Sequence, residues 1–184
     1  MERTESSSSF ALGSKLPSFT LRNVDDSYVE SLEFLSSGKA ALVIFTCNHC
    51  PYVKGSEVEM NKVIQEFQSQ GLRVLAINSN DAEQYPDDSF EKMKEKSDSL
   101  ELSYPYLYDQ SQEVAKLFDA ACTPECYLFD AEQKLVFHGT VNDNPRDPTK
   151  ASKGFLAAAI KQVLAGESPN PNFVHPIGCS IKWK

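Results

Sequence analysis

The chain has 184 residues, 41% hydrophobic and 24% charged, which is enough for one domain with a full core. With 18 basic and 26 acidic residues its formal net charge is −8, and no basic stripe or arm appears, which argues against nucleic acid as a partner. No apolar run approaches the ~20 residues of a membrane span, so no membrane partner is expected.

The opening "MERTESSSSF" has no apolar h-region and carries acids, so it is neither a secretory signal nor a good transit peptide. Residues 1–11 read as a disordered tail and 12–184 as a single domain, with the cytoplasm as the expected compartment. "SFTLRNV" reads as a short strand, and "SYVESLEFL" as an edge strand or a turn of helix. "AALVIFT" is a continuous apolar run suited to a strand buried on both faces. After it, Val53, Met60, Val63, Ile64 and Phe67 recur at helical spacing until Gly71, and "RVLAIN" is a second buried strand. This strand–helix–strand unit favours a parallel crossover.

"NSNDAEQYPDD" reads as a loop, solvated rather than cation-binding. A charged helix, "DSFEKMKEKSDSL", follows with little apolar face. "YPYLYD" is a short strand, and "DQSQEVAKLFDA" a helix opened by Asp109. Glu125 to Asp130 and Lys134 to Thr140 form an antiparallel hairpin around "DAEQ". The loop "NDNPRDPTK" leads, at Asp147-Pro148 or Thr149, into the helix "ASKGFLAAAIKQVLAG". Residues 167–184 are rich in Pro and Asn and read as an irregular tail packed on the surface.

The chemistry concentrates at "FTCNHCPYV", where strand gives way to helix. Unpaired amides and the positive end of the helix dipole favour a thiolate there. The i, i+3 spacing of Cys47 and Cys50 lets both sulfurs meet on one turn. His49 can hydrogen-bond or electrostatically favour a thiolate, and Pro51 suits the first helical turn. Zinc binding is the rival reading, with Cys47, His49, Cys50 and one of Cys122 or Cys126 as ligands. Its spacing is unlike that of paired zinc knuckles. Covalent c-type haem is excluded because no His follows Cys50. No other cofactor is implied.

The order of elements, "FTCNHCPYV", "CTPE" before a strand, "FHGTVNDN" and the terminal "GCSIKW" together resemble the peroxiredoxin-like branch of the thioredoxin superfamily, the alkyl-hydroperoxide-reductase/thiol-specific-antioxidant type. The resemblance covers residues from about 10 to 184. It implies an α/β thioredoxin fold: a central mixed sheet flanked by helices, with a peroxiredoxin-like N-terminal extension. It implies a thiol–disulfide oxidoreductase in which Cys47 attacks, Cys50 resolves and His49 tunes the thiolate. Thr123-Pro124 becomes a cis-proline site, and Thr123, Pro124 and Glu125 face the substrate. The implied partners are a protein or small-molecule disulfide and an electron donor of the thioredoxin or glutathione kind. The alternative activity is thiol peroxidase, but the Thr and Pro of the peroxiredoxin motif are missing in either frame. Their positions hold Cys47 and Val43, or Ile44 and Ala40. No acid precedes the dithiol in "ALVIF", so proton removal from Cys50 falls to Glu125, His49 or water.

Of the remaining residues, Cys122 is a candidate third redox thiol or a core residue, and Cys126 is expected inside by strand alternation. Cys179 has no assigned place. His138 reads as a surface or satisfied core residue, and His175 as structural.

Overall fold

The computed structural model describes residues 9–184 together with the backbone of residues 3–5. Its main sheet has seven strands: β2 (Thr20–Asn23), β3 (Tyr28–Glu30), β4 (Ala40–Phe45), β5 (Leu72–Asn78), β6 (Tyr106–Tyr108), β8 (Glu125–Phe129) and β9 (Leu135–Gly139), in the order β3-β2-β6-β5-β4-β8-β9. The pairs β4–β5 and β5–β6 are parallel, whereas β8 runs antiparallel to β4 and hairpins into β9. The β2–β3 hairpin extends the β6 edge, the expected N-terminal extension. All six residues of β4 are buried, as a strand covered on both faces demands.

Helices cover the two faces. On one lie α2 (Pro51–Gln68), α3 (Phe90–Ser99) and α5 (Phe155–Leu164), which bury Met60, Ile64, Met93, Leu156 and Ile160 against Leu42, Ile44 and Val74. On the other lie α1 (Ser31–Leu35) and α4 (Glu113–Leu117), with Leu35, Val114 and Ala115 packed on Val43, Phe45 and Tyr127. Two helix starts differ from expectation. Asp109 does not begin α4; its carboxylate reaches forward to accept from the Val114 and Ala115 amides. Pro148–Lys150 forms only a 3-10 turn, and α5 begins after Gly154.

The largest departure is at the C-terminus. Residues expected to form an irregular tail contain β10 (Ile177–Ser180), the middle strand of a second sheet, between β1 (Arg3–Glu5) and β7 (Cys122–Thr123). Of the stretch read as a disordered tail, residues 1, 2 and 6–8 lie outside the described residues. Residues 3–5 pair with β10, and the Phe10 ring packs 5.1 Å from that of Phe118. Beyond β10 the chain is tied down further: Ile181 N–H donates to Ala121 O (3.0 Å), Lys182 N–H to Asn80 Oδ1 (2.9 Å) and Lys184 N–H to Gln112 Oε1 (2.9 Å).

Gly178 lets β10 lie this close. A Cβ there would sit 2.1 Å from the Thr123 carbonyl oxygen, a backbone atom that cannot swing aside. Gly178→Ala is therefore expected to cost about 1–3 kcal/mol by overpacking and to lift β10 from β7. Urea unfolding measures the first effect, and faster alkylation of the thiols beneath β10 the second.

Candidate active site

Strand β4 ends at Phe45, and the chain turns through Thr46 to Asn48 before entering α2. Cys50 is the N-cap residue of that helix, in extended conformation, and Pro51 occupies its first turn. The helix therefore aims its unpaired amides at the Cys50 sulfur. Across from it stands Thr123, whose peptide bond to Pro124 is cis, as expected. Cys47 Sγ lies 3.2 Å from Thr123 Oγ1, and Cys50 Sγ 3.2 Å from the Thr123 carbonyl oxygen, to which it donates when protonated. One residue thus contacts both sulfurs. Both cysteines are 0% exposed, so neither is the open attacking thiol expected of Cys47.

The electrostatics separate the two. Cys50 is lowered to about 5, first by a hydrogen bond from the Cys47 thiol, with further help from the Cys179 thiol and the Val53 and Cys179 amides, against the opposing effect of burial. Cys47 is raised well above its ordinary value by its own burial, by donating to Cys50, and by the nearby Asp88 carboxylate. Hydrogen bonding thus favours charge on Cys50, while burial and the Asp88 carboxylate work against it on Cys47. Cys50 stands at the helix terminus, and Cys47 sits beside an acid.

That acid lies in the stretch read as a solvated loop. Asp88 is fully buried, because residues 78–88 fold back over the site. Its Oδ1 accepts from the Asn48 amide (2.6 Å), and its Oδ2 from Asn80 Nδ2 (2.8 Å) and His49 Nδ1 (2.5 Å). The His49 ring stacks on Tyr85 at 5.5 Å. His49 is therefore held in place by Asp88. Its pKa is raised, chiefly by the hydrogen bond to Asp88. Burial alone would raise Asp88, but the bonds from His49, Asn48 and Asn80 outweigh it and hold the carboxyl below its ordinary value.

A raised His49 contributes stability that is complete below its unfolded value near 6.5 and lost as pH rises through the folded value. The depressed Asp88 contributes stability present above its unfolded 3.8 and lost as pH falls through the folded value. In Asp88→Asn the His49 imidazole is expected to titrate at lower pH than in the parent, and the alkaline-side loss should shrink with it. Imidazole proton NMR across the pH range checks both.

The other candidates fall differently. Glu125 does not face a substrate. Its carboxylate is fully buried beneath β8, accepting from the Ala121 and Cys122 amides, the Tyr127 hydroxyl (2.8 Å) and His138 Nε2 (2.7 Å). It is a structural anchor, turned to these partners rather than to Cys50. His138 is a core residue stacked on Tyr127 at 4.3 Å, and His175 is an exposed ring against Phe173. Cys126 is buried as expected, in the core on the α2 side. The four-ligand zinc set is not assembled, because Cys122 and Cys126 point elsewhere. Among the described residues the metal-ligating atoms that do gather are those of Cys47, His49 and Asp88, within 4.8 Å of one another.

The third thiol beside the dithiol is Cys179, not Cys122. Cys179 stands directly opposite Thr123 in the β10–β7 register, and cross-strand partners share a face. It clusters with Cys47, Cys50 and Val53. Cys122, one residue from Thr123, turns to the opposite face, and burial followed by Glu125 pushes its thiol far up. Lys96, also unforeseen, reaches in from α3 to donate to the Cys47 carbonyl (3.0 Å). An open groove borders Asn48 and His49 and is lined by Lys54, Glu57, Lys92 and Lys96, while the sulfurs themselves lie under β10.

Known proteins give a consistent context. The AhpC/TSA family matches residues 12–138. A thiol-disulfide oxidoreductase ResA of Halalkalibacterium halodurans is 23% identical over 124 residues. That alignment covers 67% of this chain and 65%, just under two thirds, of the relative. The crystal structure of an uncharacterized conserved protein from Geobacillus kaustophilus is similar over 100% of this chain and 97% of its own, with 43% identity and a TM-score of 0.93. The thioredoxin domain of a thiol-disulfide oxidoreductase from Bacteroides vulgatus shares the fold, with a TM-score of 0.58 at 21% identity over 70% of this chain and 87% of its own. Among the described residues no helix is long and apolar enough to cross a membrane.

Proposed function

The chain belongs to the AhpC/TSA family, and from that premise we propose that it is a thiol–disulfide oxidoreductase whose redox couple is Cys47 and Cys50. The observation that carries the reading is the placing of both sulfurs on Thr123, with Cys50 at the N-terminus of α2 and its charge stabilised there. The similarity to the thiol-disulfide oxidoreductase ResA supports the same reaction class.

In this reading the Cys50 thiolate attacks one sulfur of a disulfide and forms a mixed disulfide, and the other substrate sulfur leaves as a thiolate that takes up a proton. Cys47, already hydrogen-bonded to Cys50, gives up its proton and attacks the Cys50 sulfur. The Cys47–Cys50 disulfide forms and the second substrate thiol is released. Two electrons pass from the dithiol to the substrate, with one proton from Cys47 and one from solvent in place of the proton Cys50 had already shed. The His49 charge, held by Asp88, offsets negative charge on the sulfurs during exchange. The substrate is a protein or small-molecule disulfide, and a dithiol or glutathione-type donor reverses the cycle.

The test is to expose the reduced full-length chain to oxidised glutathione and map the tryptic peptides. Residues 40–54 contain both cysteines. That peptide is expected to lose two hydrogens as Cys47 and Cys50 join. Incubation that leaves both thiols reduced and unmodified would exclude the reading.

A further inference from the structure

The buried cluster at the dithiol holds three thiols rather than two, the third carried by β10 itself. Cys179 is 1% exposed and shares one buried cluster with Cys47, Cys50 and Val53, its thiol near enough to the Cys50 sulfur for each to shift the other's pKa. Its strand pairs with Thr123, the residue both dithiol sulfurs contact, on the β7 edge where a substrate polypeptide was expected. β10 is held from both sides of Cys179. Gly178 lies on the Thr123 backbone, and Lys182 is bonded to Asn80, to Asp81 N–H (2.8 Å) and to Gln112 Nε2 (2.7 Å). A sulfur fixed this firmly beside a nucleophile has a high effective concentration toward it.

We propose that Cys179 is a third redox thiol of this site, able to resolve a mixed disulfide on Cys50 and to form a Cys50–Cys179 disulfide in exchange with Cys47–Cys50. The inference rests on the dithiol reading above. After Cys50 attacks an external disulfide, Cys179 loses its proton and attacks the Cys50 sulfur. The Cys50–Cys179 bond forms, the bond between Cys50 and the substrate sulfur breaks, and that sulfur leaves as a thiolate that is then protonated. Two protein thiols have lost two electrons and two protons, and one substrate disulfide has become two thiols. Attack by Cys47 on Cys50 then yields Cys47–Cys50 and returns Cys179 to the thiol, with no net transfer of electrons. The β10 strand thus presents Cys179 to the dithiol as an internal substrate, and covalent capture would pin it over the Thr123 edge.

The test uses the full chain with Cys47→Ser, treated with oxidised glutathione, quenched, alkylated and mapped. Peptides 40–54 and 162–182 are expected to appear joined through Cys50 and Cys179. Glutathione on Cys50 should clear at least about 100-fold faster than in Cys47→Ser/Cys179→Ser. Cys47→Ala should behave alike and keeps the test valid if serine disturbs the fold. Equal adduct lifetimes in the single and double variants, with no joined peptides, would overturn the proposal. Cys179→Ser alone tells the two readings apart. A Cys47–Cys50 disulfide formed there upholds the dithiol whatever happens to Cys179, and unreacted thiols there would sink the dithiol reading itself.

Discussion

Cys50→Ser is expected to slow thiol–disulfide exchange by about a thousandfold or more, the scale on which removing a covalent nucleophile acts. Only a thiolate attacks a disulfide at a useful rate, and the hydroxyl of serine does not ionise in the accessible range. In the proposed cycle Cys50 carries the charge, beside the α2 terminus and the donors from Cys47, Cys179 and Val53. Cys47→Ser should leave the first step within about tenfold of the parent, because a serine hydroxyl still donates to Cys50 and the change is about one hydrogen bond. The measurement is the single-turnover rate at which each variant releases a coloured thiol from an aromatic disulfide. The opposite ranking, with Cys47→Ser inert and Cys50→Ser active, would return the attacking role to Cys47.

Glu125→Ala should destabilise the fold by about 3–5 kcal/mol, the cost of stripping a buried, multiply bonded charged group from its partners. Alanine leaves the Ala121 and Cys122 amides, the Tyr127 hydroxyl and His138 Nε2 each without this acceptor, in a place closed to water. Those amides lie in and just before β7, so the loss also loosens the strand that carries Thr123. Glu125→Gln keeps an acceptor oxygen and should cost clearly less. Urea unfolding measures both. A loss under about 1 kcal/mol in the alanine variant, typical of exposed positions, would place Glu125 in an open substrate groove after all.

The parts of this molecule that could be read from sequence are those written in local patterns. Val53, Met60, Ile64 and Phe67 repeat at helical spacing and mark one face of α2, and "AALVIF" marks a doubly covered strand. The dithiol's position between them followed directly, as did the hairpin of β8 and β9, whereas the cis bond before Pro124 came from the family resemblance. What escaped depends on long-range closure. Ile177–Ser180 has no alternation and is flanked by Pro and Asn, and only pairing with Cys122 and Thr123 makes it a strand. Asp88 looked like one acid among several in a polar loop. Nothing local signals that the loop folds inward to meet His49 and the Asn48 amide. Glu125 was drawn to the substrate by its proximity to Pro124, although at the start of β8 its carboxylate turns to Tyr127 and His138.

The electrostatic contrast between the two cysteines was hidden for the same reason. Motif position alone favoured Cys47. Asp88 disfavours charge there, and Cys179 favours it on Cys50, and both arrive from segments far away in sequence. Two unforeseen neighbours therefore bear on the electrostatics of a site whose location was legible from the start.

The most direct measurement is a pH titration of thiolate absorbance in the ultraviolet on the reduced full-length chain, repeated on Cys47→Ser and Cys50→Ser. The expected result is one thiolate appearing through about pH 5, absent in Cys50→Ser and retained, shifted upward, in Cys47→Ser. A thiolate that appears only near the ordinary cysteine value of 9, or one lost in Cys47→Ser and kept in Cys50→Ser, would contradict a redox couple centred on Cys50.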